Sequence, residues 1–420
     1  MLSITSPLSA RRINGLDVSP RRSVLFLEQQ SWKSGAQKVL EFVLDAVAPE
    51  FAPIVAFPHD GPFRRQLQDR SIQTVLYPLG TYQSGQKSRA EMLAFSMRSV
   101  ACGLKLANLI RRERVGLIYV NGPRCLPAGV VAAKLTGRPL LLHLHLTLNR
   151  KREAAMVARL ARHAGRIVSC SYAAAQPLLN ESHALTSTLQ IIYNPLLEAS
   201  GGVERTADGS PLADSFVLGM VGRVTQSKGH LNLLKALSAL PLHLQQKTRL
   251  VIVGAPAPGN AVDHDYLSRV KELAARLNLQ HQILWTGYQT DPARFYAGMD
   301  VLVQPSSAHA GEGMPMVILE ALREGIPVIA SRTGGIPEVI RHGSNGLLVT
   351  PGDETALARA LQNFLEDPVL RARLQAGSRG SLSERFSLAN FQSQILACVR
   401  ELVGLQSPAD AAIPLGETAT

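Results

Sequence analysis

Two cations and two glycines share one short segment, residues 222–229 (GRVTQSKG), which contains Gly222, Arg223, Lys228 and Gly229. The segment directly follows the apolar run Phe216–Val221, which has the composition of a buried strand. Glycine lets the backbone approach a ligand closely, arginine can bind phosphate through two parallel hydrogen bonds, and lysine supplies a point charge. A diphosphate is the natural ligand for such a segment. Taken alone, the segment also fits a basic, solvated turn.

A second segment, residues 311–320 (GEGMPMVILE), places two carboxylates around the start of a predicted helix. Pro315 suits the first helical position and Gly325 suits the end, so Glu312 precedes the helix and Glu320 lies inside it. The start of a helix attracts anions, and carboxylates accept hydrogen bonds from the vicinal hydroxyls of ribose or a hexose. The alternative is a capping role for Glu312 and a solvated position for Glu320.

Three weaker candidates also follow predicted strands. Residues 333–338 (TGGIPE) form a glycine-rich turn, and Ser34-Gly35 precedes a predicted helix over Ala36–Val47. His145 lies at the end of the predicted strand Leu140–Leu144, where it could bind a sugar hydroxyl or assist proton transfer. His143 shares its side of the strand, but no nearby carboxylate or cysteine completes a metal site, so we predict none. A purely structural histidine remains the alternative.

The elements that must position these residues form two alternating runs of strands and helices. Nearly continuous apolar strands separated by helices indicate parallel sheets covered on both faces. We therefore predict an α/β protein with two Rossmann-like doubly wound parallel-sheet domains facing across a cleft. The predicted boundaries are a disordered lead-in at 1–20, a first domain at 21–197, a linker at 198–214, a second domain at 215–385, a last helix at 386–405 and a disordered tail at 406–420.

Charge is divided unevenly between these halves. Residues 1–200 contain 25 Lys and Arg against 12 Asp and Glu, whereas the remaining residues contain 19 against 20. The basic first half suggests an anionic partner such as nucleic acid, an acidic membrane surface or a phosphorylated substrate, although it could simply favour solubility. Aromatic residues make up only 5% of the chain, which argues against nucleic-acid binding by base stacking.

Cysteine spacing and hydropathy bear on the compartment. The four cysteines are far apart, which excludes a zinc ribbon and suits a reducing environment. No apolar run approaches the roughly 20 residues that a bilayer span needs, and residues 1–20 lack the apolar core of a signal peptide. We expect a cytoplasmic protein that can rest on the inner face of the cell membrane.

Together these motifs resemble the retaining, nucleotide-sugar-dependent glycosyltransferases of the GT-B fold, specifically glycosyltransferase family 4. The ordered set covers about 170 residues from Phe216 to Phe386, and no single motif would be specific. It comprises the GR…KG segment, Val251–Gly254, Gly287, residues 299–303 (MDVLV), Pro305-Ser306, Glu312 with Glu320, residues 334–338 (GGIPE) and residues 345–349 (NGLLV). The first half matches more loosely, since Ser34 stands where the family usually has glycine.

The resemblance implies roles for the candidates. Arg223 and Lys228 would neutralise the diphosphate as it leaves, Glu320 would bind ribose hydroxyls and Glu312 would contact the donor sugar. His145 would complete the catalytic set from the first domain. Further donor contacts would come from Gly35, Gly222, Gly287, Gly313, Met314, Met316 and Val317. No cofactor and no obligatory metal are expected, because cations and a helix dipole supply the positive field.

The resemblance predicts a retaining hexosyltransferase that moves sugar from a nucleotide-diphosphate donor to a hydroxyl of a glycan or lipid-linked acceptor in cell-envelope or exopolysaccharide biosynthesis. We expect no nucleic-acid partner. A GT-B-fold sugar-nucleotide epimerase or hydrolase is the main alternative, although those enzymes usually lack the paired-glutamate helix. A nucleic-acid binder and an inactive scaffold are further alternatives.

Overall fold

The computed structural model describes residues 21–80, 88–196, 215–380 and 384–405. The predicted lead-in, linker and tail lie outside these described residues. What remains forms two parallel sheets, each covered by helices, and the predicted fold class is confirmed.

The first sheet has seven parallel strands in the order β3-β2-β1-β4-β5-β6-β7. Its strands are β1 (Ser23–Glu28), β2 (Ala52–Phe57), β3 (Gln73–Leu76), β4 (Val115–Asn121), β5 (Leu140–Leu144), β6 (Arg166–Ser169) and β7 (Leu189–Ile191). Its helices are α1 (Gly35–Val47), α2 (Pro62–Asp69), α3 (Arg89–Arg112), α4 (Leu126–Thr136), α5 (Lys151–Ala161) and α6 (Tyr172–Glu181). Strands β1, β4 and β5 are almost wholly buried, as expected for a sheet covered on both faces.

The second sheet has six parallel strands in the order β10-β9-β8-β11-β12-β13. Its strands are β8 (Phe216–Val221), β9 (Thr248–Val253), β10 (Ile283–Gly287), β11 (Val301–Gln304), β12 (Val328–Ser331) and β13 (Gly346–Val349). Its helices are α7 (His230–Ser238), α8 (Leu242–Gln246), α9 (Ala261–Arg276), α10 (Ala293–Tyr296), α11 (Met316–Arg323), α12 (Ile336–Val339), α13 (Glu354–Glu366) and α14 (Pro368–Gly380).

Both sheets have a switch point, where the strand order reverses and the loops leave a crevice at the carboxyl edge. In the first sheet it lies between β1 and β4, and in the second between β8 and β11. The segment 222–229 follows β8 and the segment 311–320 follows β11. Topology alone therefore brings the two motif segments of the second domain together.

The two domains share apolar packing. One continuous cluster of buried side chains includes Val39 and Val43 of α1 together with Met316 and Ile318 of α11. The last helix, α15 (Leu388–Leu402), packs against α1, and Arg400 Nε donates to Glu50 Oε2 at 2.9 Å. The final helix thus returns to the first domain.

Some elements differ from the sequence-based expectations. Apolar residues at helical spacing over Met97–Arg114 predict a helix in that range. The observed helix α3 begins eight residues earlier, at Arg89, because Ser88 and Glu91 form a reciprocal cap there. Strand β7 and helix α6 were not predicted. The helix expected from Pro315 to Glu324 spans Met316–Arg323, with Pro315 as its cap.

Candidate functional site

The loop before α11 is attached directly to the first domain. Leu146 forms an isolated antiparallel bridge with Glu312, and Thr147 N donates to the carbonyl oxygen of Gly311 at 3.0 Å. Ser171 Oγ donates to the carbonyl oxygen of Gly313 at 2.9 Å. These bonds hold the second domain's carboxyl edge against that of the first, and we call this contact the seam.

Lys228 and Glu312 form an ion pair with 2.7 Å between Nζ and Oε1. Ser306 Oγ also donates to Glu312 Oε1, at 2.8 Å, and Glu312 is only 8% exposed. The turn carrying Lys228 packs tightly on the β11 loop, since a Cβ on Gly229 would lie 2.0 Å from the carbonyl oxygen of Pro305. Gly229 also has a φ of +79°, so the turn requires glycine on both counts.

Glu320 accepts hydrogen bonds from two elements. Lys38 Nζ, on α1 of the first domain, lies 2.7 Å from Glu320 Oε1. Tyr296 Oη donates to Glu320 Oε2 at 2.7 Å from within the second domain. Burial raises the pKa of Tyr296 well above its usual value, so its hydroxyl stays protonated as a donor. Each glutamate of the predicted pair is therefore ion-paired with a lysine.

A chain of hydrogen bonds from Glu28 through Asn121 holds the His145 ring at Nε2. Asn121 Nδ2 donates to Glu28 Oε2 at 2.6 Å, which turns Asn121 Oδ1 toward His145 Nε2, also at 2.6 Å. Because Oδ1 only accepts, Nε2 carries the proton and Nδ1 is left as an acceptor. His145 Nδ1 is buried without a hydrogen-bond partner in the described part of the chain. Burial lowers the pKa of His145 to about 3, so the ring is neutral.

Glu28 anchors this chain at the end of β1. Its carboxylate also accepts from Gln37 Nε2 at 2.8 Å and from the backbone N–H of Gln29 and of Gln30. Burial nevertheless dominates and raises the pKa of Glu28 to about 7, although these donors favour the charged form.

The other predicted residues occupy the same edges. Arg223 is exposed and follows Gly222, whose φ is +141°. Gly35 of the first domain faces Met316 across the seam, and the distance from its ideal Cβ position to Met316 Cγ is 3.5 Å. Gly313 and Met314 are bound through their carbonyl oxygens to the first domain, to Ser171 and to Asn194 respectively. Val317 follows on α11, and Gly287 ends the outer strand β10, bridged to Gly254.

Four members of the site were not predicted: Lys38, Tyr296, Asn121 and Glu28. Ser306 was named only as part of the Pro305-Ser306 motif, without a role. Lys38 lies one turn beyond Gly35 on a helix whose start was already a candidate, so its position carried a signal. Asn121 and Glu28 end the central strands β4 and β1 at the switch point, where polar residues are informative. No sequence motif next to Tyr296 indicated a role in the site. Within the described ranges, no three or more His, Cys, Asp or Glu residues cluster as a metal site would need.

Two family models match the chain. The model "Glycosyl transferases group 1" matches residues 205–380, and "Glycosyl transferase 4-like domain" matches residues 37–188. The lipopolysaccharide core biosynthesis glycosyltransferase LpsD of Rhizobium meliloti is 34% identical over 181 residues, 43% of this chain and 48% of that protein. The D-inositol 3-phosphate glycosyltransferase of Stackebrandtia nassauensis is 35% identical over 172 residues, 39% and 37% of the two chains. The matched part thus spans half or less of these relatives.

Solved structures match over a much greater length. Anabaena HepE in complex with UDP-glucose has a TM-score of 0.76 and 25% identity, covering 90% of this chain and 99% of that one. The apo lipopolysaccharide outer core galactosyltransferase WaaB has a TM-score of 0.65 and 16% identity, with 90% and 99% covered. The second likeness concerns the fold alone.

Proposed function

Since the chain belongs to glycosyltransferase family 4 and has the GT-B fold, we propose that it is a retaining hexosyltransferase. It moves a hexose from a nucleotide-diphosphate sugar to a hydroxyl of a glycan or lipid-linked acceptor. The observation that carries this proposal is the pair of lysine–glutamate contacts at the seam, Lys228 with Glu312 and Lys38 with Glu320. They place two cations and two nearly buried carboxylates where the carboxyl edges of two parallel sheets meet.

In this proposal the diphosphate lies between the turn after β8 and the start of α11. Lys228 and the exposed Arg223 take up the negative charge that grows on the leaving diphosphate, and the first N–H groups of α11 add their dipole. Glu320 accepts hydrogen bonds from the ribose hydroxyls, and Glu312 accepts from the sugar. The donor is thereby held by charge and hydrogen bonds from the chain itself, without an obligatory metal or cofactor.

In this scheme we assign His145 to the reacting sugar or the acceptor hydroxyl, as a neutral hydrogen-bond acceptor. Its Nδ1 lone pair is free because Asn121 holds the other ring nitrogen. Glu28 is fully buried and occupied by hydrogen bonds, so it is poorly placed to attack the sugar. This arrangement favours attack by the acceptor on the face from which the diphosphate leaves, which retains the anomeric configuration.

The donor base and the acceptor class are argued from relatives. HepE binds UDP-glucose and shares the whole fold, which favours a uridine-diphosphate hexose. LpsD and LpsE of Rhizobium meliloti are named for lipopolysaccharide core biosynthesis, and CapM of Staphylococcus aureus for capsular polysaccharide. We therefore place this transferase in cell-envelope polysaccharide synthesis, acting at the inner face of the cell membrane.

The test is incubation with radiolabelled UDP-hexoses and the lipid-linked saccharide fraction of the producing cells. The proposal predicts label in that fraction, an equal amount of released UDP and, by NMR, the donor's anomeric configuration in the product. A hydrolase would release free sugar without any acceptor, and an epimerase would convert the donor without releasing UDP. Either of those products, or an inverted linkage, would refute the proposed reaction.

A further inference from the structure

Helix α3 carries an exposed apolar stripe that its own fold does not use. Its inner face buries Cys102, Leu106 and Ile110 in the first domain, and Gly103 packs so closely on α4 that a Cβ would lie 2.5 Å from Val131. The opposite face exposes Leu93, Met97, Val100 and Leu104, with exposed fractions of 64%, 67%, 49% and 53%. We call these four residues the α3 stripe.

The α3 stripe is a continuous surface. Its members are separated by four, three and four residues, which places them in one line along the helix. Ala90, Ala94 and Ala101 are also exposed and lie beside this line. A helix on the surface of a protein normally presents polar residues on the face that contacts water. An apolar outer face therefore indicates a binding partner. Exposed apolar side chains elsewhere, such as Leu242 and Val369, have no such alignment.

Cations border the stripe. Helix α3 contains Arg89, Arg98, Lys105, Arg111 and Arg112 but only one acidic residue, Glu91, which caps the first turn. Arg98 and Lys105 project to one side of the stripe by helical spacing, and the first half of the chain has a large positive excess. An apolar strip with cations along one side matches an anionic bilayer, in which side chains enter the acyl boundary while cations meet the headgroups.

The packing of α3 within the first domain argues against a membrane-spanning role. By length and composition, α3 alone among the described helices is long and apolar enough to span a bilayer, yet a third of its most apolar window is buried inside the first domain. Crossing a bilayer would require that packing against α4 to be lost. The first turns of α3 also lie near the site edge, because Phe95 faces Arg124, which donates to the carbonyl oxygens of Gln29 and Gly80.

We propose that the α3 stripe is the surface on which this protein docks to an anionic membrane, with the seam held close to acceptors anchored in the same bilayer. That docking brings the seam to its acceptors rests on the proposed function, whereas membrane binding itself does not. The surface accepts a bilayer of anionic lipid, and binding combines burial of the stripe with attraction to the cations of α3.

The test is co-sedimentation of the full chain with vesicles of phosphatidylcholine, alone or mixed with phosphatidylglycerol. Wild type should bind the mixed vesicles, and high salt should weaken that binding. The double variant Met97→Ser/Leu104→Ser should lower the partition coefficient about tenfold or more. Leu242→Ser/Val369→Ser, which removes two equally exposed apolar side chains outside α3, should bind as wild type.

Three results would overturn the proposal: no binding of wild type to anionic vesicles, equal losses in both double variants, or a dimer in solution that only Met97→Ser/Leu104→Ser dissociates. The last would assign the stripe to a second copy of the chain. Thermal shifts by UDP-hexose in the same variants separate this test from the catalytic proposal. A stripe variant that keeps its melting temperature and donor shift but loses vesicle binding supports docking alone.

Discussion

Lys228 and Lys38 are the residues around which the site is built, since each is bound to a glutamate that is almost inaccessible to water. Glu312 and Glu320 are 8% and 7% exposed. A carboxylate in such a position is costly unless a cation or hydrogen-bond donor accompanies it. The two lysines satisfy this need. The same residues thus stabilise the seam and supply the groups that the proposed donor would contact.

Replacing Lys228 with alanine should abolish transfer while the protein stays folded. We expect turnover to fall about a hundredfold or more, because the leaving diphosphate loses a charge partner. The unfolding free energy should fall by only about 2 kcal/mol, since Ser306 still donates to Glu312. Lys235→Ala is the matched control, because Lys235 pairs with Glu354 on the exposed surface of the same domain. Steady-state kinetics with wild-type rates for Lys228→Ala would refute the site.

Glu28 should make stability depend on pH in a specific direction. Its pKa is raised in the fold from 4.5 to about 7, so protonated Glu28 is favoured by folding. The resulting stabilisation is complete below about pH 4.5 and is lost as the pH rises through about 7, amounting to about 3 kcal/mol at most. Denaturant unfolding of Glu28→Gln should therefore show a smaller loss between pH 5 and pH 8 than wild type. Parallel curves for the two proteins would contradict this assignment.

At the scale of elements, the loops after β8 and β11 bring the functional groups together. Both follow strands at the switch point of the second sheet, and the β11 loop also pairs with residues 146 and 147 of the first domain. The glycines of this loop have a steric purpose. A Cβ on Gly313 would lie 2.3 Å from the carbonyl oxygen of His145, so the two domains meet here backbone to backbone.

Gly313→Ala should therefore push the seam apart. The added methyl would also meet Cys170 Sγ at 2.8 Å, and overpacking of this kind costs about 1–3 kcal/mol. We expect a lower melting temperature together with reduced turnover. Gly298→Ala is the control in the same domain, since its nearest non-adjacent atom is 3.8 Å away. If calorimetry gave the two variants the same melting temperature, the close approach at the seam would be disproved.

Periodicity and glycine placement were sufficient to predict the alternating elements, both switch-point segments and the glutamate pair. These signals lie within short segments of sequence, and the strand order then brings the segments together. The reciprocal cap at Ser88 was missed because apolar spacing, not capping, set the predicted start of α3. Lys38 and Glu320 are separated by 282 residues, so their contact depends on how the domains meet. No local pattern encodes such a pair.

For the molecule as a whole, the two domains are joined through a shared core. Buried apolar side chains of α1 and α11 belong to one cluster, and α15 returns to the first domain to pack on α1. Lys38 reaches across this seam to the carboxylate that we assign to the ribose. If Glu320 binds the ribose as we propose, the donor competes with Lys38 for this carboxylate, and occupancy of the second domain is coupled to its contact with the first.

Lys38→Met should strengthen donor binding if this competition operates. A partly exposed ion pair such as Lys38–Glu320 is worth about 1 kcal/mol, so its removal should lower the dissociation constant of the donor about fivefold. Lys33→Met is the control, since Lys33 pairs with Glu41 within the first domain and not with the second. Titration calorimetry with UDP supplies the measurement. Weaker binding by Lys38→Met alone would instead make Lys38 a direct contact of the donor.

A thermal-shift panel would show whether the seam holds a metal-independent site for a diphosphate sugar. Uridine- and guanosine-diphosphate sugars are added with EDTA present to wild type, Lys228→Ala and Lys235→Ala. A ligand that binds only the folded state raises its melting temperature. We expect the uridine donors to raise the melting temperature of wild type and Lys235→Ala, and to leave that of Lys228→Ala unchanged. No shift with any donor, or an undiminished shift in Lys228→Ala, would contradict this expectation.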